Sequence, residues 1–287
     1  MKKILKNIYL KTQTILSDEM CYKLLYFAKL REIPNKNNPK YLSEKIHCIK
    51  LSKWLEDKQR YVDKYKVREY ISNVIGEKYL IKLLGVYNSF EEINFSKLPN
   101  SFVLKLNNGS GCNIIVKDKE KLDYKKLKKE LDSWMKSDYY KLSREKQYKN
   151  IKQYILCEEY LSDDSGELRD YKFFCFNGKV EFVQVDNGRF STHIQNFYDR
   201  KWNKLDITYM CDKNNIFDTK PDKYYEMLKL AEKLACKFPF VRVDLYYTNN
   251  KIYFGELTFT PNNGMGRIKP IEKDIEFASL IDLNQYK

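Results

Sequence analysis

The sequence predicts an α+β fold, and three observations carry that reading. Residues 1 to about 75 read as helical. From residue 80 onward, apolar runs of strand length are separated by glycine and asparagine turns, with two longer amphipathic segments between them. The chain then closes on Phe240 to Gly264, FVRVDLYYTNNKIYFGELTFTPNNG, two apolar strands joined at Asn249-Asn250. With 287 residues and 43% hydrophobic content, there is enough material for a sizeable buried core.

In the N-terminal region, Glu19 to Leu30 is apolar-periodic and Pro34 to Pro39 is a loop. Ser43 to Trp54 resumes helical spacing with Ile46, Ile49 and Trp54 near one face. Asp63 is placed to cap a helix from Lys64 to Ile75, and Gly76 to stop it. Strands are expected at Leu80–Tyr87 and Ser101–Leu106, then a glycine loop at Asn107–Gly111 and a returning strand at Asn113–Val116. Tyr124–Trp134 reads as a helix, and Lys136–Asn150 as a polar, tyrosine-rich, mobile stretch. Tyr154–Tyr160 is a strand, Asp163–Gly166 a turn, and Tyr171–Asn177 with Lys179–Val185 a hairpin about Asn177-Gly178. Lys223–Phe238 is a long amphipathic helix that leads into the closing hairpin.

Composition removes several classes of function. Seven cysteines stand at 21, 48, 112, 157, 175, 211 and 236 without a CxxC pair, which argues for reduced thiols. His47 and His193 are the only histidines, so a His/Cys zinc site is not expected and a Ser-His-Asp triad has few ways to form. No run approaches the roughly 20 apolar residues of a membrane span. The N-terminal apolar residues are broken by Lys6, Lys11 and Gln13 and lack a signal-peptide core, so a cytoplasmic protein is expected. The net charge of +14 suits nucleic acid, anionic head groups or a polyanionic substrate. The lysines are spread over helices and loops, and the abundance of Lys, Asn, Ile and Tyr is what an AT-rich coding sequence gives, so a nucleic-acid partner is not expected.

Four segments carry chemistry. Asp244 and Glu256 interrupt the apolar closing hairpin. A charge there costs several kcal/mol unless compensated, and two facing carboxylates invite an oxygen-seeking cation such as Mg2+. Arg242, two residues before Asp244, leaves the same strand face. The alternative is an exposed pair on a solvated sheet face. Lys105 precedes Asn107-Asn-Gly109-Ser110-Gly111, where backbone N–H groups and a hydroxyl can turn toward an anion. It is not a P-loop, because the lysine precedes the glycines and a strand follows them; an ordinary hairpin turn is the alternative. Glu158-Glu159-Tyr160-Leu161 ends a strand and can offer backbone groups to an adenine edge and an acid to ribose hydroxyls, or is simply a capped edge strand. Asp170 and Lys172 share one strand face, as a second phosphate-reaching lysine with its acid or as a solvated ion pair.

The order of these pieces resembles the ATP-grasp fold, and most closely its TupA-like branch, the teichuronopeptide-biosynthesis proteins of capsule and cell-surface polysaccharide clusters. The stretches that carry the resemblance are Asp63-Lys-Tyr-Lys-Val-Arg-Glu-Tyr70, Lys105-Leu-Asn-Asn-Gly-Ser-Gly111, Asp170-Tyr-Lys-Phe-Phe-Cys-Phe-Asn-Gly178 and Phe254-Gly-Glu-Leu-Thr-Phe-Thr-Pro261. The resemblance implies two α+β lobes that clamp ATP. The expected division is a helical region at 1–75 and an ATP-grasp domain at 76–287, with a small lobe and glycine flap at 76–157 and a large lobe with the metal site at 158–287. Lys64 and Lys105 match the two phosphate-contacting lysines, and Gly109, Ser110 and Gly111 the flap. Glu158 to Leu161 match the adenine hinge, and Asp170 an acid near the ribose. Asp244 and Glu256 match the Mg2+ ligands, and Arg242 the arginine that stabilises the charged intermediate. Lys172 joins Arg242 as a catalytic candidate. Thr258 stands where most members place an asparagine metal ligand, and Asn108 where the branch is expected to carry histidine.

The implied reaction is ATP-dependent amide formation through an acyl phosphate, joining an amino acid to a uronic acid carboxylate of a surface polysaccharide or its precursor. A basic surface suits a polyanionic acceptor or peripheral contact with the inner membrane face. Arg189, His193, Arg267 and Lys269 are substrate-side candidates, for each of which a plain surface residue is the commoner reading. A sugar kinase, or a glycosyltransferase-like polysaccharide-binding protein without ATP chemistry, are the alternatives.

Overall fold

The computed structural model describes residues 15–163, 168–187, 194–212 and 214–286. Five helices open it: α1 (Asp18–Leu30), α2 (Leu42–Leu51), α3 (Lys53–Glu56), α4 (Gln59–Val62) and α5 (Val67–Val74). Ser17 caps α1 by accepting from Met20 N, and Asp18 and Glu19 place negative charge at its first turn. The start of α2 is held by Glu44, whose carboxylate accepts from the backbone N–H of Asn35 and Lys40, both at 2.8 Å, and of Tyr41. The helix expected from Lys64 begins at Val67 instead. Asp63 Oδ1 accepts from Tyr65 N at 2.9 Å and Lys66 N at 3.2 Å, while Lys64 N donates outward to Asn107 O at 2.7 Å. Lys64 is thereby kept out of the helix and tied to the glycine loop.

Two antiparallel sheets follow. The first has the order β1-β4-β2-β3, from β1 (Leu83–Tyr87), β2 (Phe102–Leu106), β3 (Asn113–Val116) and β4 (Ile155–Glu159). Phe102, Leu104 and Leu106 point inward and Lys105 outward, the period-two alternation of a half-buried strand. Helix α6 (Tyr124–Met135), capped by Asp123, seals this core with Leu127 and Leu131. The second sheet has the order β7-β6-β5-β8-β9, from β5 (Asp170–Phe176), β6 (Lys179–Asn187), β7 (Ile194–Tyr198), β8 (Phe240–Thr248) and β9 (Lys251–Thr258). Its hairpins turn on Asn177-Gly178 (φ 48° and 76°) and Asn249-Asn250 (φ 49° and 57°), the left-handed pairs that suit two-residue connections.

The larger core is not confined to the second sheet. Leu42, Ile46, Ile49, Val62 and Tyr70 from the opening helices pack into the same cluster as Phe174, Phe182, Val243 and Leu257. Helix α8 (Tyr224–Ala235) also joins it, through Met227, Ala231 and Leu234. The first sheet keeps a separate core. The stretch 136–150 is folded: α7 (Tyr139–Ser143) is followed by a short turn of 3-10 helix, and Ser143, Glu145 and Gln147 are buried. Strand β7 and the closing helix α9 (Ile271–Ser279) were not expected from the sequence. All seven cysteines are free thiols. Among the described residues, no helix is long and apolar enough to cross a membrane.

Candidate active site

The acids of the closing hairpin face each other across an antiparallel pair. Asp244 on β8 lies opposite Glu256 on β9, and Arg242 lies opposite Thr258. Alternation along β8 puts Arg242 and Asp244 on one face, and the guanidinium turns back along that face. Its Nε donates to Asp244 Oδ1 at 2.7 Å and its Nη2 to Asp244 Oδ2 at 2.6 Å. Nη2 also reaches Glu256 Oε1 at 2.8 Å and Thr258 Oγ1 at 3.1 Å. Thr258 Oγ1 donates to Glu256 Oε1 at 2.7 Å. The repulsion expected of two facing carboxylates is therefore offset within the chain by a bidentate arginine.

Burial and charge part the two acids. Burial pushes the Asp244 carboxyl up to about 6, although Arg242 pulls the other way. Burial would also raise Glu256, but Arg242 and then Lys64 outweigh it and hold that carboxylate at about 2. Burial disfavours the charge of Arg242, and Asp244 overcomes this and raises its pKa. Glu256 keeps 39% of its side chain exposed against 4% for Asp244, so Glu256 is the carboxylate presented to a ligand.

On the next strand of the sheet, Lys172 lies opposite Asp244. Its ammonium is paired with Asp186 on β6, and Asp170 Oδ2 stands 3.6 Å away. Gln184 Nε2 donates to Asp186 Oδ1 at 2.7 Å. All four side chains are buried, so this face carries a polar row from β6 to β9.

The first sheet supplies the opposite wall. Lys105 is ion-paired with Glu158 on β4, and Arg68 Nη1 stands 3.7 Å from the other Glu158 oxygen. Lys64 Nζ donates to Gly109 O at 2.6 Å. Asn107 anchors the root of the glycine loop: its Oδ1 accepts from Tyr154 N at 2.8 Å and its Nδ2 donates to Lys152 O at 3.0 Å. Asn108 Oδ1 is buried without a hydrogen-bond partner. Gly109 (φ 77°) must be glycine on two counts, since a Cβ there would lie 2.7 Å from the Tyr139 ring. Burial lowers the Lys64 pKa, and Glu256 is the strongest opposing influence on it. Lys64 and Glu256 thus act on each other's charge, although 192 positions of sequence separate them, from 64 to 256.

The structure gathers Lys64, Lys105, Gly109, Glu158, Asp170, Lys172, Arg242, Asp244, Glu256 and Thr258 around one region. Ser110 and Gly111 continue the glycine loop, with Gly111 at φ 83°. Glu158 points at Lys105, while Glu159 is exposed and Tyr160 and Leu161 follow the strand. Two substrate-side candidates sit elsewhere. Arg267 lies over the Tyr41 ring at 3.7 Å and is paired with Glu32, and Lys269 is exposed, its backbone bonded to Thr208. Arg189 and His193 lie outside the described residues. Sequence reasoning did not single out Arg68, Gln184 or Asp186, because each acts through a cross-strand or cross-sheet neighbour that spacing alone does not reveal.

The donor set of Glu256, Thr258 and Asp244 is all oxygen, which fits a hard divalent cation and not a soft one. Among the described residues no group of three or more His, Cys, Asp or Glu side chains could enclose a metal alone. A cation here would complete its shell with water or with oxygens of a bound anion.

The family described as TupA-like ATPgrasp matches residues 44–281. Among curated proteins, none matches the chain. The chain is similar to the D-alanine–D-alanine ligase of Helicobacter pylori, at 17% identity and a TM-score of 0.43, covering 79% of this chain and 61% of that one. It is also similar to the Bacillus anthracis D-alanine–D-alanine ligase complexed with ATP, at 16% identity and a TM-score of 0.47, covering 82% and 67%. A third likeness is to a RimK domain ATP-grasp protein of Sphaerobacter thermophilus, at 8% identity and a TM-score of 0.45, covering 81% and 69%. The chain spans less than two thirds of the length of the first of these.

Proposed function

The chain belongs to the TupA-like ATP-grasp family, and from that premise we propose that it is an ATP-dependent carboxylate–amine ligase. It would act in the cytoplasm on a surface polysaccharide or its precursor, joining an amino acid to a uronic acid carboxylate. The observation that carries this reading is the hydrogen-bonded array of Arg242, Asp244, Glu256 and Thr258 on the second sheet, with Lys64 held on the glycine loop and acting on the charge of Glu256. ATP supplies the phosphoryl group that makes the carboxylate an acyl phosphate, which an amine displaces to give the amide, releasing ADP and phosphate. A Mg2+ held by Glu256 and Thr258, with Asp244 behind them, would offset phosphate charge.

The residues of the chain have separable tasks. Lys64, Lys105 and Lys172 present ammonium groups toward the region between the sheets, where they favour a polyanion. Gly109, Ser110 and Gly111 place backbone N–H groups and a hydroxyl over it. Arg242 fixes both acids in register and carries positive charge to where an oxyanion develops. Lys105 and Lys172 are each paired with a carboxylate, Glu158 and Asp186, which aims both ammonium groups. The +14 charge of the chain suits a polyanionic acceptor.

Glu256→Gln tests the reading. ATP turnover should be abolished while circular dichroism shows the fold intact; a variant that retains full turnover removes the metal assignment. Wild-type protein given ATP, Mg2+, amino acids and a uronic acid acceptor should yield an amide. A phosphorylated sugar as the sole product would instead make it a kinase.

A further inference from the structure

Strand β7 ends the second sheet, and a cavity of about 330 Å³ lies along it that none of the roles above uses. That volume falls at the lower end of the range for small-ligand sites. Its lining includes Gln195, Asn196, Lys204, Asp206, Asn215 and Phe217. Lys204 and Asp206 are the charged members of that lining, so the charges balance and a bare polyanion does not suit it. The side-chain amides can both donate and accept, which matches a ligand rich in hydroxyls. One acceptor is left over: Asn196 is 1% exposed, and its Oδ1 has no hydrogen-bond partner among the described residues. Such a buried oxygen is costly, and a ligand hydroxyl relieves the cost.

Phe217 is 73% exposed at this cavity, yet the chain is anchored on both sides of it. Before it, Lys204 Nζ donates to Asn214 O at 3.0 Å and to Ile216 O at 2.7 Å, and lies 4.6 Å from the centre of the Phe217 ring. After it, one carboxylate oxygen of Asp218 accepts from Asn196 Nδ2 at 2.8 Å and from Tyr198 OH at 2.9 Å, and the other accepts from Asn187 Nδ2. The Asp218 backbone N–H donates to Tyr198 OH at 2.8 Å, and Trp202 Nε1 donates to Asp218 O at 3.2 Å. The fold thus clamps the neighbours of a large apolar ring and leaves the ring in water. Packing gains little from that arrangement. A flat apolar face held in a fixed orientation does suit the C–H face of a sugar ring, with the ordering cost met before the ligand arrives.

We propose that this cavity binds a uronic acid ring of a glycan chain, as a subsite apart from the reacting centre. The Phe217 ring packs on the C–H face of the sugar, and Asn196 Oδ1, Asn215 and Asp206 take its hydroxyls. The Lys204 ammonium spends two of its three N–H groups on backbone carbonyls and gives the third to the sugar carboxylate. Gln195 of the cavity lies opposite Asp186, Asp186 is paired with Lys172, and Lys172 lies opposite Asp244. The cavity therefore stands at the β7 end of the polar row, three strand spacings or about 14 Å from Asp244. A glycan chain is long enough to occupy both places and a monosaccharide is not, so the subsite selects polymer over free sugar. The inference rests on the reading of the acceptor as a uronic acid glycan.

The test is calorimetry on the full chain, with oligogalacturonate, monomeric galacturonate, a neutral maltooligosaccharide, polyphosphate and ATP·Mg2+ each titrated alone. Oligogalacturonate should bind the wild type more tightly than the monomer or the neutral chain does. Phe217→Ala should weaken it about 5- to 10-fold, Phe217→Tyr, which keeps the ring, should bind it as the wild type does, and neither should alter ATP·Mg2+ affinity. Unchanged oligogalacturonate affinity in Phe217→Ala overturns the subsite. So does equal binding of the neutral chain, or polyphosphate binding that falls in parallel, the mark of a plain anion site. A wild type that binds ATP·Mg2+ but no uronate removes this inference and leaves the ligase reading. One that binds oligogalacturonate through Phe217 but not ATP·Mg2+ keeps the subsite and removes the ligase reading. Should Phe217→Ala fail to fold, Asn215→Ala, an exposed position in the same lining, gives the same comparison, and an unchanged affinity there counts against the subsite.

Discussion

Replacing Arg242 by methionine isolates the electrostatics of the site from its catalysis. In the wild-type fold the guanidinium makes two bonds to Asp244, one to Glu256 and one to Thr258, with 10% of its side chain exposed. Methionine fills similar space but leaves Asp244, 3% exposed, facing Glu256 in register. Removing one partner of a buried ion pair costs about 3–5 kcal/mol, which for a chain of this length lowers the melting temperature by roughly 6–10 °C. The deficit has a defined pH dependence. Asp244 has a folded-state pKa raised from 3.8 to about 6, so its ionisation costs folding stability as pH rises through that window, and the cost is complete above it. Without Arg242 that cost grows. The variant should therefore lag the wild type most at pH 8, and by less than half as much at pH 5, where Asp244 takes up a proton. Urea unfolding at both pH values measures this. A deficit under about 1 kcal/mol, or one equal at pH 5 and pH 8, would refute the account of Arg242 as the internal counter-charge of the pair.

Two further outcomes follow. His47 is fully buried and stacked on Tyr22 at 3.9 Å, neither ring nitrogen has a hydrogen-bond partner among the described residues, and burial lowers its pKa from 6.5 to about 3. Between those values the unfolded chain holds a proton that the folded chain refuses, so stability falls on acidification, by about 3 kcal/mol at pH 4. His47→Phe should flatten that limb of the stability–pH curve, and an unchanged limb would show that other groups set it. Gly109→Ala puts a Cβ against the Tyr139 ring at a left-handed position, so melting should fall and ATP affinity should drop about tenfold, roughly 1.4 kcal/mol; calorimetry giving wild-type affinity would contradict the assigned place of the loop.

What the sequence disclosed depended on whether the deciding contact was local. Both tight hairpins were legible, because Asn177-Gly178 and Asn249-Asn250 state their left-handed backbone in their composition. The sharing of one face by Arg242 and Asp244 followed from strand alternation alone. The start of α5 was missed by three residues, since Asp63 does hold the first N–H groups but the Asn107 carbonyl draws Lys64 away. The stretch 136–150 looked solvated because its polar residues outnumber its apolar ones. In the fold they find partners more than 90 positions away, Ser143 with Lys50 and Glu145 with Thr260. The acids that hold Lys105 and Lys172 were equally hidden, since Glu158 and Asp186 meet them only through strand pairing. Arg267, a substrate-side candidate in the sequence, lies over the Tyr41 ring and is ion-paired with Glu32, both in the connection between α1 and α2, contacts that spacing alone does not reveal.

The pairing of Lys105 with Glu158 and of Lys172 with Asp186 changes what an incoming anion must do. It does not meet bare positive charge; it must evict a resident carboxylate, so association is an exchange of partners whose net gain is a difference between two attractions. Chloride or a single phosphate, carrying little charge, does not outbid a covalently tethered competitor at close range, whereas a triphosphate displaces several at once. These pairings thus favour highly charged ligands, and the salt dependence of their capture should be shallower than the number of lysines would suggest.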